Sequence, residues 1–279
     1  MIIDAHVHLL PHRLAAKIRK FFVDRGAPPL LYPYAPEAAR QELLSAGIGS
    51  CWSLPYAHRA GVAAALNRWM AETFRHDSFV VAGATVHPDD HVEGVVREAV
   101  EILGLAVFKL HCSVGSFAPD DRRLDPLWRQ VSETGMPVIV HAGRAPQGTA
   151  TEEDIDAIDR TARRFPEARI VLAHFGSPAI EKTLDLMRQR ESVYADLCPV
   201  VADPVDLRRP QFAGLERRIL FGSDTPTVAV SISDSIARVR AWRLEPGDEA
   251  AILGGTAKGL LDLARRGAAP RTEPGEAKA

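Results

Sequence analysis

The stretch that decides the fold is IIDAHVH at residues 2–8, an apolar run that Asp4, His6 and His8 interrupt. Alternate side chains of a β-strand point to one face, so these three polar residues share a side. Later apolar runs also end in histidine or aspartate: VIVHAG at 138–143, IVLAHFG at 170–176 and ILFGSD at 219–224. Runs of this kind predict buried strands that carry polar groups at their ends.

Short apolar segments alternate with helix-like segments along most of the chain. The eight predicted strands cover residues 2–8, 48–54, 79–86, 105–110, 137–141, 169–174, 192–196 and 218–223. The predicted helices cover residues 36–46, 60–74, 92–103, 125–134, 151–165, 180–190 and 205–212. Fully apolar strands that alternate with helices are typical of a parallel sheet buried on both faces. We predict an α/β fold, a single (β/α)8 TIM-type barrel, because an open doubly wound sheet would not bring its first and last strands together.

The domain organisation follows from the segments that interrupt this alternation. We expect one barrel domain over residues 1–264, with an N-terminal insertion after the first strand at about residues 9–35. The insertion is too long for a simple connector, and it is interpreted either as a lid over the mouth of the barrel or as a packed surface excursion. Residues 265–279 are rich in Pro, Gly, Ala and charge, and we expect a disordered tail there.

Composition excludes several classes of protein. A net charge of -2 argues against binding to nucleic acid or to an anionic membrane surface, and three cysteines do not imply a disulfide framework. The sequence has no apolar stretch of about 18 residues, so we expect no membrane span. It also lacks the pattern of a signal peptide, and we expect a cytoplasmic protein. The outer helices of a barrel could support a homodimer.

The polar residues at the strand ends indicate a metal site. The carboxyl ends of the strands form the active face of such a barrel, so these residues should meet at one rim. Neutral imidazoles and carboxylates are ligands for divalent metals, and two histidines on one interior strand face are hard to explain by packing alone. The residues concerned are His6, His8, His141, His174 and Asp224.

These motifs together resemble the amidohydrolase superfamily, especially its amidohydrolase-related (amidohydrolase-2) branch. The resemblance runs through DAHVH, TVHPDD, FKLHC, VIVHAG, LAHFGS, FGSDTP and ILGGTAKGLL, which span nearly the whole chain. It implies that His6, His8, His141 and Asp224 bind one divalent metal. It also implies an auxiliary catalytic role for His174, in contact with water or substrate.

Lys109 and His111 share one face of the fourth predicted strand and leave two alternatives open. Some members of the superfamily carry a carboxylated lysine here that bridges two metals. A free lysine would instead hold an anionic group of the substrate. We expect a free Lys109 and one ion, with His111 and Arg144 as further contacts of the substrate. The alternatives are two ions, a surface histidine at 111 and a solvated loop arginine at 144.

The reaction expected from this set is hydrolysis of a small, anionic substrate. Zinc is the expected ion, since it can lower the pKa of water to about 7. Asp224 would act as general base and His174 would orient the nucleophile or stabilise the oxyanion. An amide, lactone or ester carbonyl would be attacked. The alternative is non-oxidative decarboxylation of an aromatic or enoic acid, which the ligand set does not exclude. A non-catalytic binding barrel would require the loss of a ligand, and all of them are present.

Overall fold

Short parallel strands form the centre of the structure. The computed structural model describes residues 1–143 and 151–267, with the backbone alone for Thr151 and for residues 265–267. Within these ranges the strands are β1 (Ile2–Val7), β2 (Ile48–Ser53), β3 (Val80–Ala82), β4 (Ala84–Thr85), β5 (Phe108–Leu110), β6 (Val138–Val140), β7 (Ile170–Leu172), β8 (Val193–Asp196) and β9 (Ile219–Leu220). They pair in parallel in the orders β1-β2-β3 and β4-β5-β6-β7-β8-β9.

The two sheets are joined at Gly83, which splits the predicted third strand into β3 and β4. The Gly83 amide donates to the carbonyl of Ser53 at 2.9 Å, and the next amide, from Ala84, donates to Val107 at 2.8 Å. A Cβ atom at position 83 would lie 2.8 Å from the Ser53 carbonyl oxygen, so the site needs glycine. One continuous strand segment therefore pairs with β2 first and with β5 afterwards.

The first and last strands are joined as well. The amide of Ala5 donates to the carbonyl of Phe221 at 2.9 Å, and the amide of His8 donates to the carbonyl of Thr225 at 2.8 Å. Val7 and Thr225 form a parallel bridge. Together with the join at position 83, these bonds complete a ring of parallel strands, and the prediction of a TIM-type barrel is confirmed.

Helices surround the strands, and most follow the predicted pattern. In the described ranges they are α1 (His12–Asp24), α2 (Pro36–Ser45), α3 (Ala63–Phe74), α4 (Val92–Arg97), α5 (Cys112–Gly115), α6 (Asp125–Thr134), α7 (Thr151–Arg164), α8 (Ile180–Gln189), α9 (Ile232–Ala241), α10 (Pro246–Ala250) and α11 (Thr256–Gly267). The predicted helix over 205–212 is wrong, because this segment forms only a 3-10 turn at Arg209–Phe212. Pro210 disfavours an α-helical residue before it, which breaks the pattern.

Two apolar clusters hold the fold together. The larger one packs the helices against the outside of the strands and includes Leu43, Phe108 and Trp128, all fully buried. A second cluster joins strand residues such as Trp52 and Ile139 to the inner face of α11. Large apolar side chains of this kind contribute about 1.5–3 kcal/mol each on full burial.

The expected insertion and tail can be followed only in part. Residues 9–35 contain helix α1, which the sequence pattern did not reveal. Helix α11 extends to Gly267, three residues into the predicted tail, and residues 268–279 lie outside the described residues. No helix in the described ranges is long and apolar enough to cross a membrane.

Candidate metal centre

The strand ends bring the candidate residues to one cavity of about 540 Å³. His6 lies in β1 and His8 follows its last residue, while Lys109 lies in β5. The residues His141, His174 and Asp224 follow β6, β7 and β9. All of them, together with His111, line the cavity. Arg144 lies outside the described residues.

Three of the candidate ligands, His6, His8 and Asp224, form a close group in the cavity. One ligand atom from each residue lies within 4.8 Å of the others, and all three are buried. The Asp224 Oδ1 atom is 3.0 Å from His8 Nε2 and 3.7 Å from His6 Nε2. The amide of Asp224 donates to the carbonyl of His6 at 2.8 Å, so the backbone itself holds these side chains together. Two imidazoles and a carboxylate at this spacing fit a divalent cation.

Hydrogen bonds set the tautomer of both histidines. His6 Nδ1 donates to the Oδ2 atom of Asp196 at 2.8 Å, and His8 Nδ1 donates to the carbonyl oxygen of Leu54 at 2.7 Å. The proton of each neutral ring is therefore on Nδ1. In the neutral form of each ring, the Nε2 atom beside Asp224 then has a lone pair for a cation, which is the arrangement in which outer partners orient metal ligands.

His141 and His174 form the adjacent wall of the cavity. His174 Nδ1 donates to the carbonyl of Cys198 at 3.2 Å, so its Nε2 atom can accept from His141 Nδ1, also at 3.2 Å. The Nε2 atom of His141 is then left with a lone pair, and it is buried without a hydrogen-bond partner among the described residues. The His141 ring stacks on that of His111, with centroids 3.9 Å apart. A buried, unpartnered imidazole nitrogen is a suitable further ligand.

Burial and charge keep the donors in the forms that a cation needs. Burial and the neighbouring Lys109 lower the pKa of His6 to about 4, so its imidazole is neutral. Burial alone would raise the pKa of Asp224, but the hydrogen bond from His8 Nε2 and the charge of a protonated His8 ring outweigh it, and the pKa is lowered. Burial also lowers the pKa of His141 well below its ordinary value. The site therefore offers neutral imidazoles at His6 and His141 and one carboxylate.

Lys109 lines the cavity beside His6. Its side chain is fully buried, and its Nζ atom is 3.2 Å from His6 Nε2. Burial lowers the pKa of this ammonium group. The ammonium group of Lys109 therefore lies beside a candidate metal-ligand atom, in the buried part of the cavity.

Asp196 and Cys198 were not among the site residues predicted from the sequence. Asp196 Oδ1 accepts the amide of His174 at 2.8 Å and the Cys198 thiol at 2.7 Å, while its Oδ2 atom holds His6. Cys198 Sγ also lies 3.1 Å from the Nδ1 atoms of His6 and His174. Those Nδ1 atoms already donate elsewhere, so this trio is a poorer cation site than the one at Asp224. The position of Asp196 at the end of β8 was the available signal.

The backbone is unusual at two of the candidate residues. Asp224 has φ 59° and His174 has φ 56°, in the left-handed region that non-glycine residues rarely adopt. Such conformations cost roughly 1–2 kcal/mol per residue. They persist where the surrounding structure imposes them, and they cluster at functional sites.

The insertion after β1 borders the cavity. Phe22 of α1 lines it, as do Arg25, Ala27 and Pro28 beyond the helix. Tyr56 completes this side, with its ring centroid 5.4 Å from that of His8 and 5.0 Å from that of His111. The segment therefore lies where a lid would lie, and the function of a lid stays a prediction.

Comparison with known proteins assigns the chain to a family. The amidohydrolase family model matches residues 3–263, so the chain belongs to the amidohydrolase family. No curated protein matches the sequence of this chain.

Several solved structures share the fold at low identity. An uncharacterised TIM-barrel protein from Bordetella bronchiseptica has a TM-score of 0.75 and 21% identity, covering 95% of this chain and 99% of its own. A dihydroxybenzoic acid decarboxylase from Polaromonas, solved with manganese and the inhibitor 2-nitroresorcinol, has a TM-score of 0.69 and 15% identity, with coverages of 94% and 97%. A dihydroorotase from Campylobacter jejuni has a TM-score of 0.61 and 15% identity, with coverages of 94% and 83%. At these identities the likeness shows the fold alone.

Proposed function

We propose that the protein is a metal-dependent hydrolase that opens an amide, lactone or ester bond of a small, anionic substrate. The observation that carries the proposal is the trio of His6, His8 and Asp224, in which the two Nε2 atoms lie 3.7 and 3.0 Å from the Asp224 carboxylate. We propose His141 as the fourth ligand through its Nε2 atom, which has no hydrogen-bond partner among the residues that the structure describes. The proposed cofactor is one zinc ion, although the Polaromonas structure holds manganese.

A divalent cation in this site supplies Lewis acidity and lowers the pKa of water toward 7. The other steps belong to side chains of this chain. The Asp224 carboxylate, kept ionised by His8, accepts a proton from the attacking water and passes it to the leaving group. His174 fixes the tautomer of His141 and orients water within the same cavity. Lys109, His111 and Arg144 are proposed to bind the anionic group of the substrate.

Decarboxylation of an aromatic acid is the second candidate. It is favoured by the rings that line the cavity, where Phe22 and Tyr56 occur together with the stacked pair His111 and His141. Such walls suit a flat aromatic acid. The decarboxylase from Polaromonas that shares the fold supports this alternative.

A substrate panel separates the two reactions. Zinc-loaded and manganese-loaded protein would be assayed with lactones, esters, amides and hydroxybenzoic acids, following acid release and carbon dioxide release separately. Hydrolysis is the expected activity, and Asp224→Asn should lower it by about 10²–10⁴-fold, since this is the typical contribution of general acid–base catalysis. Carbon dioxide release from an aromatic acid, with every ester and lactone untouched, would overturn the hydrolase proposal.

A further inference from the structure

A second cavity of about 740 Å³ adjoins the metal centre. It lies between helix α1 and the segment after β2. Phe22, Tyr56 and His111 line both cavities, so the two are separated by only one layer of side chains. Its volume is within the range of about 300–1,000 Å³ that is usual for small-molecule sites.

The body of this cavity is apolar. Leu14, Ile18 and Phe21 project into it from one face of α1, and Val62 and Val114 form the opposite side. These α1 positions follow the three- and four-residue spacing of one helix face. The face is only partly buried, so a half-open apolar surface stays beside the metal centre.

Positive charge surrounds this apolar surface. Arg13 and Lys17 of α1 and Arg59 of the segment after β2 line the cavity, whereas no described Asp or Glu does so. In the described part of the chain no ion pair joins these three cations to a carboxylate, although Lys20 on the same helix pairs with Asp24 at 2.9 Å. Burial, together with Arg59 and Lys17, lowers the pKa of the neighbouring His58, as a positive local potential requires.

We propose that this second cavity binds the part of the substrate remote from the reacting bond, and that this part is an apolar body ending in a second anion, distinct from the anionic group assigned to Lys109. Apolar contacts with α1 would hold the body, and Arg13, Lys17 and Arg59 would bind a terminal carboxylate or phosphate. The reacting bond would reach the metal centre past Phe22 and Tyr56. This inference rests on the proposed function, since it assigns a substrate class to the same site.

The test measures binding and not turnover, so that its failure can be told apart from failure of the proposed reaction. Decanoate, decyl phosphate and decanol, none of which has an ester, lactone or amide bond to be hydrolysed, would be titrated into the zinc-loaded protein by calorimetry. Both anions should bind at least about tenfold more tightly than decanol, and their affinity should fall with added salt. The tighter of the two anions identifies the terminal group as carboxylate or phosphate.

Variants locate the binding site. The triple variant Arg13→Ala, Lys17→Ala, Arg59→Ala should lose about tenfold or more in affinity for the anions and leave decanol binding unchanged. Val114→Trp should weaken all three probes by filling the apolar part, and Lys20→Ala is the matched control on the same helix. Thermal unfolding would verify that the variants fold. The single variant Arg59→Glu tests the loss of anion binding a second time with only one residue changed.

Two results would overturn the inference: equal affinities for decanoate and decanol, or anion binding that the triple variant and Arg59→Glu leave unchanged. If no ester or lactone is hydrolysed but anion binding still depends on these cations, the reaction is wrong and the binding site stands. If hydrolysis of a short neutral ester is observed and anion binding ignores the cations, the binding site is wrong and the reaction stands.

Discussion

Replacing Asp196 with asparagine tests whether the tautomer of His6 controls cation binding. Asp196 is buried and accepts through both oxygens, from His6 Nδ1 on one side and from the His174 amide and the Cys198 thiol on the other. Asparagine has nearly the same shape but offers one accepting oxygen and one NH2 group. Only one of the two sides can therefore be satisfied as before.

The magnitude follows from these contacts. If the asparagine NH2 group faces His6, Nδ1 must accept, and the ring proton moves to Nε2, which is the atom directed at Asp224. If the amide is reversed, the NH2 group meets the amide of His174 and buried donors face each other. Losing an outer partner of a metal ligand typically costs about 10–100-fold in metal affinity. We therefore expect zinc affinity to fall by this factor, which corresponds to about 1.4–2.8 kcal/mol.

The assay is competition for zinc with a chromophoric chelator at fixed pH. Circular dichroism would verify that Asp196→Asn keeps the fold, and Asp206→Asn, at an exposed position, is the matched control with unchanged affinity. A dissociation constant for Asp196→Asn within twofold of the parent value would refute the reasoning about the tautomer.

Three further predictions concern packing, charge and the cation. Gly222→Ala should destabilise the protein by about 1–3 kcal/mol, because the new Cβ atom would lie 2.9 Å from the Cβ atom of His6. It should also weaken zinc binding in a chelator competition. An unchanged unfolding temperature and zinc affinity would contradict this prediction. Burial would raise the pKa of Asp159, but hydrogen bonds from Arg163 and Arg190 lower it overall. The ion pairs of Asp159 therefore stabilise the fold at a pH above the ordinary carboxyl pKa, and this stabilisation is lost as the pH falls through the lowered pKa of the folded state. Asp159→Asn should lower the free energy of unfolding in urea by at most about 1 kcal/mol at pH 7 and by less at pH 3. An equal loss at the two pH values would contradict this prediction. Zinc or manganese should raise the unfolding temperature of chelator-treated protein, and the rise should follow the logarithm of the metal concentration once this exceeds the dissociation constant. An unfolding temperature that does not change with added metal would contradict a metal site in the folded protein.

The fold was largely predictable from the sequence, because the relevant information is local. Apolar runs bounded by helix-like segments predicted the strands. The break in the third strand at Gly83 could not be predicted, because it depends on the close approach of the Ser53 carbonyl. Helix α9 was missed, although Ser231 caps it by accepting from the amide of Asp234 at 2.9 Å. Helices at the end of a barrel chain are set by what they pack on, and such contacts are not visible in the sequence.

The candidate site was predictable at the level of residue types and strand ends. Parity on one strand predicted that His6 and His8 share a face, and the structure brings both to Asp224. The partners that set the tautomers could not be predicted, because the carbonyl of Leu54 and the carboxylate of Asp196 approach from distant strands. The close packing at Gly222 could not be predicted either, because the side chains of His6 and Cys198 that approach it come from distant parts of the sequence.

Metal content is the most direct measurement of the central claim that distant strand ends enclose one cation. The protein would be stripped with a chelator, reloaded with zinc and dialysed, and the bound metal would be counted by mass spectrometry. The parent protein and the control His76→Ala, at an exposed position, should retain about one ion per chain, and His8→Ala should retain far less with its fold intact. Full occupancy in His8→Ala, or no bound ion in the parent protein, would contradict the claim.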